Sequence, residues 1–318
     1  MVRAPGSSES TEPIDLRLLA TSSDAVSFMG KIKDKNRKRR QEKRRLQVQK
    51  RKRTPVLGPS LDMSNPAVVE TLQYGEQVYD AFVAGEAATL AMLQDVHRAM
   101  ANVDVPHAAC ARGCSWCCRG VQVDVSPPEA AFLAGWLRES FAGEELQQLE
   151  NALAANAARV SRLSTEERWN LQLPCVFLAE DGSCRVYAAR PLGCRREHSL
   201  DASACQSLEH VPIPRDPVSH ASLFAPTTAT GPAAACAGLQ PDFYELVHAV
   251  RVALENPAAL VQWLAGEDAF AAARRPADDP ESDAKLFGWE HVDEVHQALT
   301  RALKGRLACR SSTPPSLD

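Results

Sequence analysis

From Pro66 to Ala101 the apolar or aromatic residues Val68, Val69, Leu72, Tyr79, Phe82 and Val83 recur at intervals of three, four and seven, and Leu90, Leu93 and Val96 continue in threes. That is the period of a helix with one buried face, bent or broken near Gly85. Ser126-Pro127-Pro128-Glu129 opens another helix with capping-box spacing, and Phe132, Leu133, Trp136 and Leu137 carry its apolar stripe. Glu144 to Leu163, rich in Ala and Leu, predicts a third. Leu173 to Tyr187 reads differently: Cys175-Val-Phe-Leu178 and Cys184-Arg-Val-Tyr187 flank a turn in which Asp181-Gly182 supplies positive φ. A short β-hairpin is predicted there. Val211 to Pro241 is rich in Pro, Thr, Ser and Ala without sustained periodicity and reads as a loop or linker, residues 211–241. Helices follow at about Asp242–Glu255, Pro257–Gly266 and Ala284–Arg306, so residues 242–308 are expected to pack as C-terminal helices on the same body. The fold class expected is mainly α, a helical body with a small cysteine-rich β-hairpin or loop region that binds metal.

Charge divides the chain where periodicity does. Residues 1–60 hold 16 Lys+Arg against 6 Asp+Glu, and the rest holds 20 against 34. Lys31 to Arg53 packs 14 basic residues into 23 positions. Residues 1–62 are therefore expected to be a disordered basic N-terminal extension. The run 31–53 suits nucleic-acid contact through counterion release, a nuclear-import signal, or a plain solvated tail. Translation from Met63 is a further alternative, because the amphipathic pattern begins just after it. No stretch reaches the ~18 uninterrupted apolar residues of a membrane-spanning helix. Met1 to Gly30 carries Ser, Glu and Asp where a secretory leader needs apolar residues, which makes a reducing, cytoplasmic setting the expectation.

In that setting the cysteines carry the chemistry. Eight of ten, Cys110, Cys114, Cys117, Cys118, Cys175, Cys184, Cys194 and Cys205, lie within 96 residues, which assigns a cysteine-cluster metal-binding domain to residues 63–210. The first block, Cys110-x3-Cys114-x2-Cys117-Cys118, can fold its sulfurs around one centre with Gly113 and Gly120 at the bends. Thiolates suit Zn²⁺ or an iron–sulfur cluster, whereas Mg²⁺ and Ca²⁺ take oxygen. Adjacent Cys117 and Cys118 are awkward for a single ion, because neighbouring side chains tend to diverge, and one of the two is expected to serve a second metal, a redox step or packing. Cys175 and Cys184 lie at the two ends of the predicted hairpin, and Arg190-Pro191-Leu-Gly-Cys194-Arg195 turns back toward it. Guanidinium groups of Arg112, Arg119, Arg185, Arg190, Arg195 and Arg196 could offset the negative charge of several thiolates, although Arg is the common cation throughout the body. Cys236 and Cys309 stand alone and read as packing. His107 and His198 are secondary ligand candidates. Glu166-Glu167 and Asp278-Asp279 read as solvated surface. No phosphate-binding Gly-rich loop, nucleophile elbow or zinc-protease helix is present, which removes those enzyme classes.

Taken together, Cys110-x3-Cys114-x2-Cys117-Cys118, Leu173-Pro174-Cys175-Val-Phe-Leu178, Cys184-Arg-Val-Tyr187 and Arg190-Pro191-Leu-Gly-Cys194-Arg195 resemble the YkgJ-type cysteine-cluster family, described as zinc- or iron-chelating. The resemblance spans about Cys110 to Cys205. It implies a metal centre, and through members that act as flagellin lysine N-methylases it permits methyl transfer using an iron–sulfur cluster and S-adenosylmethionine. Cys-x3-Cys-x-Trp116-Cys is also similar to the radical S-adenosylmethionine signature, but the repeated strand-helix units of those enzymes are not predicted here. Three functions stay open at this level: a structural metal module, an iron–sulfur enzyme acting on a protein substrate, and a thiol redox sensor.

Overall fold

The computed structural model describes residues 62–207, 213–274 and 292–312. The basic run 31–53, residues 208–212 and the first part of the 284–306 helix lie outside the described residues. The described chain is mainly helical. Its first two helices, α1 (Pro66–Ala84) and α2 (Glu86–Ala101), are the two halves of the bent segment, separated at Gly85, where φ is 102°. Asn65 caps α1 by accepting from the Ala67 amide at 3.0 Å, and Pro66 occupies its first turn, where a missing N–H costs nothing. Then come α3 (Pro127–Ser140), α4 (Gly143–Val160), α5 (Thr165–Asn170), α6 (Leu192–Arg196) and α7 (Ala202–Gln206). The C-terminal half adds α8 (Pro217–Cys236), α9 (Leu246–Glu255), α10 (Ala259–Leu264) and α11 (Val292–Ser312).

The stretch expected to be a loop is instead α8, the helix at the middle of the packing. It lies against α1 along much of its length, and also against α11, α6 and α2. The reason is physical. Leu223, Ala225, Ala229, Ala233 and Ala234 are buried on more than one side, so no polar face exists to set up a period. Pro226 and Pro232 sit inside the helix, and Thr227, Thr228 and Thr230 fold their hydroxyls onto the Phe224 and Pro226 carbonyls. Small side chains let neighbours approach closely: a Cβ on Gly231 would lie 2.9 Å from the His296 ring.

A second correction concerns the predicted hairpin. Among the described residues the only strands are β1 (Asp124–Val125) and β2 (Tyr244–Glu245), paired antiparallel with Asp124 opposite Glu245 and Val125 opposite Tyr244. Leu173–Tyr187 keeps only the core of a hairpin, a single bridge between Leu178 and Cys184 with Ala179 N–H donating to Ser183 O at 2.8 Å. Outside the bridge the Arg185 N–H donates to Phe177 O at 2.9 Å, and Phe177 and Val186 then turn into the core rather than continue a ladder.

Ser126 and Glu129 form the expected capping box of α3, with the carboxylate accepting from the Ser126 amide at 3.0 Å and its hydroxyl at 2.8 Å. The other carboxylate oxygen accepts from the Leu192 amide at 2.9 Å and thereby fixes the start of α6. The main core gathers Leu133, Leu137, Leu153, Val250, Leu260 and Trp263 from α3, α4, α9 and α10. Gly75 of α1 meets Leu303 of α11, and Arg306 reaches Glu76 with two hydrogen bonds of 2.7 and 3.1 Å. No helix among the described residues is long and apolar enough to cross a membrane.

Candidate metal centre

Of the eight clustered cysteines, Cys110 to Cys118 lie in the segment joining α2 to α3, Cys175 and Cys184 in the segment joining α5 to α6, Cys194 on α6 and Cys205 on α7. The first block leaves α2 by way of exposed His107, which adopts φ 60°, and is tied down where the Ala109 amide donates to Ser199 O at 2.8 Å. A tight turn closes Cys114 N–H onto Ala111 O, and a single 3-10 turn, Trp116–Cys118, presents the adjacent pair. The chain then runs as a short extended piece alongside the second block. Gly120 N–H donates to Leu173 O and Cys175 N–H to Cys118 O, both at 2.7 Å, around a bridge between Arg119 and Pro174. Residues more than fifty positions apart in sequence are thereby joined backbone to backbone.

Two glycines make this joint sterically feasible. At Gly120, φ is 74° and a Cβ would meet the Trp169 Cα at 2.9 Å. At Gly182, φ is 78° and a Cβ would lie 2.5 Å from the Gly113 carbonyl oxygen, so the tip of the Cys175–Cys184 loop rests directly on the first block. After Cys184 the chain makes a second 3-10 turn, Tyr187–Ala189, and enters α6 with Cys194. Arg195 clamps this turn, donating to the carbonyls of Arg190, Tyr187 and Ala188 at 3.0, 2.9 and 2.6 Å. Cys205 sits on α7, which packs on the Trp116–Cys118 turn.

Electrostatics divides the eight thiols into two groups. Cys117 donates a hydrogen bond to Cys118, which raises the Cys117 pKa and lowers that of Cys118, and burial adds to the rise at Cys117. Burial pushes Cys175 up to about 11 and also raises Cys184 and Cys194. Beyond burial, these five sulfurs act on one another: Cys175 and Cys194 on Cys118, Cys184 on Cys175, and Cys117 on both Cys184 and Cys194. Arg190 stands among them. Burial disfavours its charge, but Cys194, Cys117, Cys118 and Cys184 outweigh that and hold its pKa above the ordinary value. The outer group is Cys110, Cys114 and Cys205: burial raises the Cys205 thiol, and Cys110, Cys117 and Cys114 raise it further. Cys236 stands apart, its thiol directed at Thr300 O at 3.7 Å, and Cys309 is exposed on α11. His198 is buried, with Nδ1 3.0 Å from Arg196 O.

Sequence reasoning treated the six arginines alike. The structure gives Arg190 and Arg195 distinct places, one among the sulfurs and one holding the turn that carries them. Their position on either side of Pro191-Leu-Gly-Cys194 was the available signal.

The donor set fits a soft or borderline cation. Sulfur dominates it, several buried thiols crowd one another, and removal of their protons becomes favourable only when a positive charge is inserted. Among the described residues no three Cys, His, Asp or Glu side chains already surround one point closely enough to hold an ion. Each cysteine, however, has a single side-chain torsion with three staggered positions through which its sulfur can swing.

Comparison with known proteins agrees with this donor set. Residues 109–211 match a family described as "CxxCxxCC: Putative zinc- or iron-chelating domain". No curated protein and no solved structure matches the chain. Residues 109–211, about a third of the chain, are thus similar to a zinc- or iron-chelating cysteine-cluster domain.

Proposed function

We propose that the protein is a thiolate metalloprotein whose centre is built from Cys117, Cys118, Cys175, Cys184 and Cys194, with Cys110, Cys114 and Cys205 at its rim. The observation that carries this reading is the backbone joint of residues 118–120 with 173–175, which brings the Cys117–Cys118 turn against the Cys175 segment, with five sulfurs and the half-buried Arg190 acting on one another beside it. Zinc bound there supplies a structural node, and an iron–sulfur cluster supplies an electron carrier. The protein's own residues gather and orient the sulfurs: the Cys118–Cys175 backbone pair, the Gly113–Gly182 contact and the Arg195 clamp fix the three segments, and Arg190 offsets negative charge.

Anaerobic purification with metal and sulfide analysis and an absorption spectrum tests the reading. Stoichiometric zinc in colourless protein, or iron and sulfide with broad visible bands, supports it. Cys175→Ser and Cys194→Ser should each lower bound metal, whereas Cys236→Ser should leave it unchanged. Metal-free protein whose thiols oxidise reversibly would replace this reading with that of a redox sensor. A zinc result would also remove methyl transfer by a route that uses an iron–sulfur cluster together with S-adenosylmethionine.

A further inference from the structure

Arg168, on α5, is only 7% exposed and donates from Nη2 to Glu245 at 3.2 Å. Its Nε and Nη1 are buried and have no partner. A buried donor left without an acceptor keeps the full penalty of its lost hydration. Glu245 does not supply the missing acceptors: it is 3% exposed, and its other oxygen caps α9, accepting from the Val247 and His248 amides at 2.9 and 3.1 Å. The backbone of Arg168 lies directly against the thiol segments. Its carbonyl accepts from the Leu173 amide at 3.5 Å, and a Cβ on Gly120 would stand 3.0 Å from that same oxygen. Cys118 and Cys175, whose backbones are joined by the Cys175 N–H donating to Cys118 O at 2.7 Å, are each two residues from these contacts. The charges of Arg168 and Glu245 both reach the Cys175 thiol, in opposite senses.

We propose that Arg168 is a positioning residue of the metal centre: Glu245 anchors the guanidinium through Nη2, and one of the two nitrogens left free, Nε or Nη1, donates its N–H to the Cys175 sulfur once that sulfur binds metal. The inference rests on the metal-centre reading above. Charge-assisted donors of this kind draw charge off a thiolate, hold its direction, and so slow its loss from a metal.

Two variants separate this role from plain stability. Glu245→Gln removes the ion pair but leaves the donors, and the double variant Arg168→Met/Glu245→Gln removes both. Replacing a buried pair with neutral groups is generally tolerated, whereas removing the arginine alone would strand a buried carboxylate. Each protein is loaded with Zn²⁺, and its release to a chelator is timed. Glu245→Gln should release zinc at the wild-type rate, and the double variant about 10–100-fold faster. Equal release from the two variants overturns the inference, because it assigns the effect to the ion pair. Arg168→Lys, which keeps the charge opposite Glu245 but lacks the planar fork, should also release zinc faster, and wild-type release there overturns the inference independently. Wild-type protein that takes up neither zinc nor iron overturns the metal-centre reading itself.

Discussion

His97 shows how burial near the cysteine segments sets a titration that metal chemistry does not require. The ring is 6% exposed, stacks edge-on against Phe132 with centroids 4.8 Å apart, and has its pKa pushed down to about 4 by burial first and the charge of Arg195 second. An unfolded histidine takes up its proton near pH 6.5, so between about pH 6.5 and 4 the unfolded chain binds a proton that the folded one refuses. Stability from this group is therefore complete above pH 6.5 and falls as pH drops toward 4, by at most about 3.5 kcal/mol at ~1.4 kcal/mol per pH unit. His97→Phe keeps a ring against Phe132 and removes the titration. Urea midpoints measured from pH 7 to 4 should fall less steeply in that variant than in the wild type. His220 and His296, both lowered by burial, contribute to the slope that remains. An unchanged slope would mean that His97 is protonated in the folded protein.

At the scale of elements, legibility followed the arrangement of polar groups. The amphipathic helices α1 to α4 were readable because one face of each meets water, and Ser126-x-x-Glu129 announced the start of α3. The gathering of sulfurs from separate stretches was readable from motif order, but the means was not. Backbone pairing of 118–120 with 173–175 leaves no periodic trace, and a hairpin reduced to one bridge has no alternation to detect. Helix α8 was illegible for the opposite reason, since burial on several sides erases the period and Pro, Thr and Ser imitate a loop. Its small residues are therefore structural rather than incidental. Gly231→Val should cost about 1–3 kcal/mol through overpacking against His296 and Phe243, whose atoms would lie 2.9 and 3.4 Å from the new Cβ. Gly135→Ala on α3, where nothing lies within 4 Å of the added carbon, should instead stabilise the protein by about 0.5–1 kcal/mol. Denaturant melts of the two variants should move in opposite directions. Movement of Gly231→Val in the stabilising direction would show that α8 and α11 pack more loosely than the structure has them.

For the molecule as a whole, the thiol segments and the helical body are held by different forces. Helices α1, α8 and α11 pack through small side chains and the Glu76–Arg306 pair, none of which involves the eight clustered cysteines. The segments from Cys110 to Gly120 and from Cys175 to Cys194 meet the body through fewer anchors, chiefly Phe177, Val186, Leu192 and the Glu129–Leu192 bond, and they crowd thiols that repel one another's ionisation. A bound metal stabilises the folded state by an amount that grows with the logarithm of its free concentration, and that stabilisation should fall mainly on the segments supplying the ligands. Stripping metal with a chelator under reducing conditions should therefore speed amide hydrogen exchange across 110–120 and 175–196 while leaving the centres of α1, α8 and α11 protected. The melting midpoint should rise with added free zinc up to saturation. Loss of protection throughout α1, α8 and α11 on chelation would instead make the cysteine segments the keystone of the entire body, because helices that stand by their own packing would not respond to the removal of a distant ion.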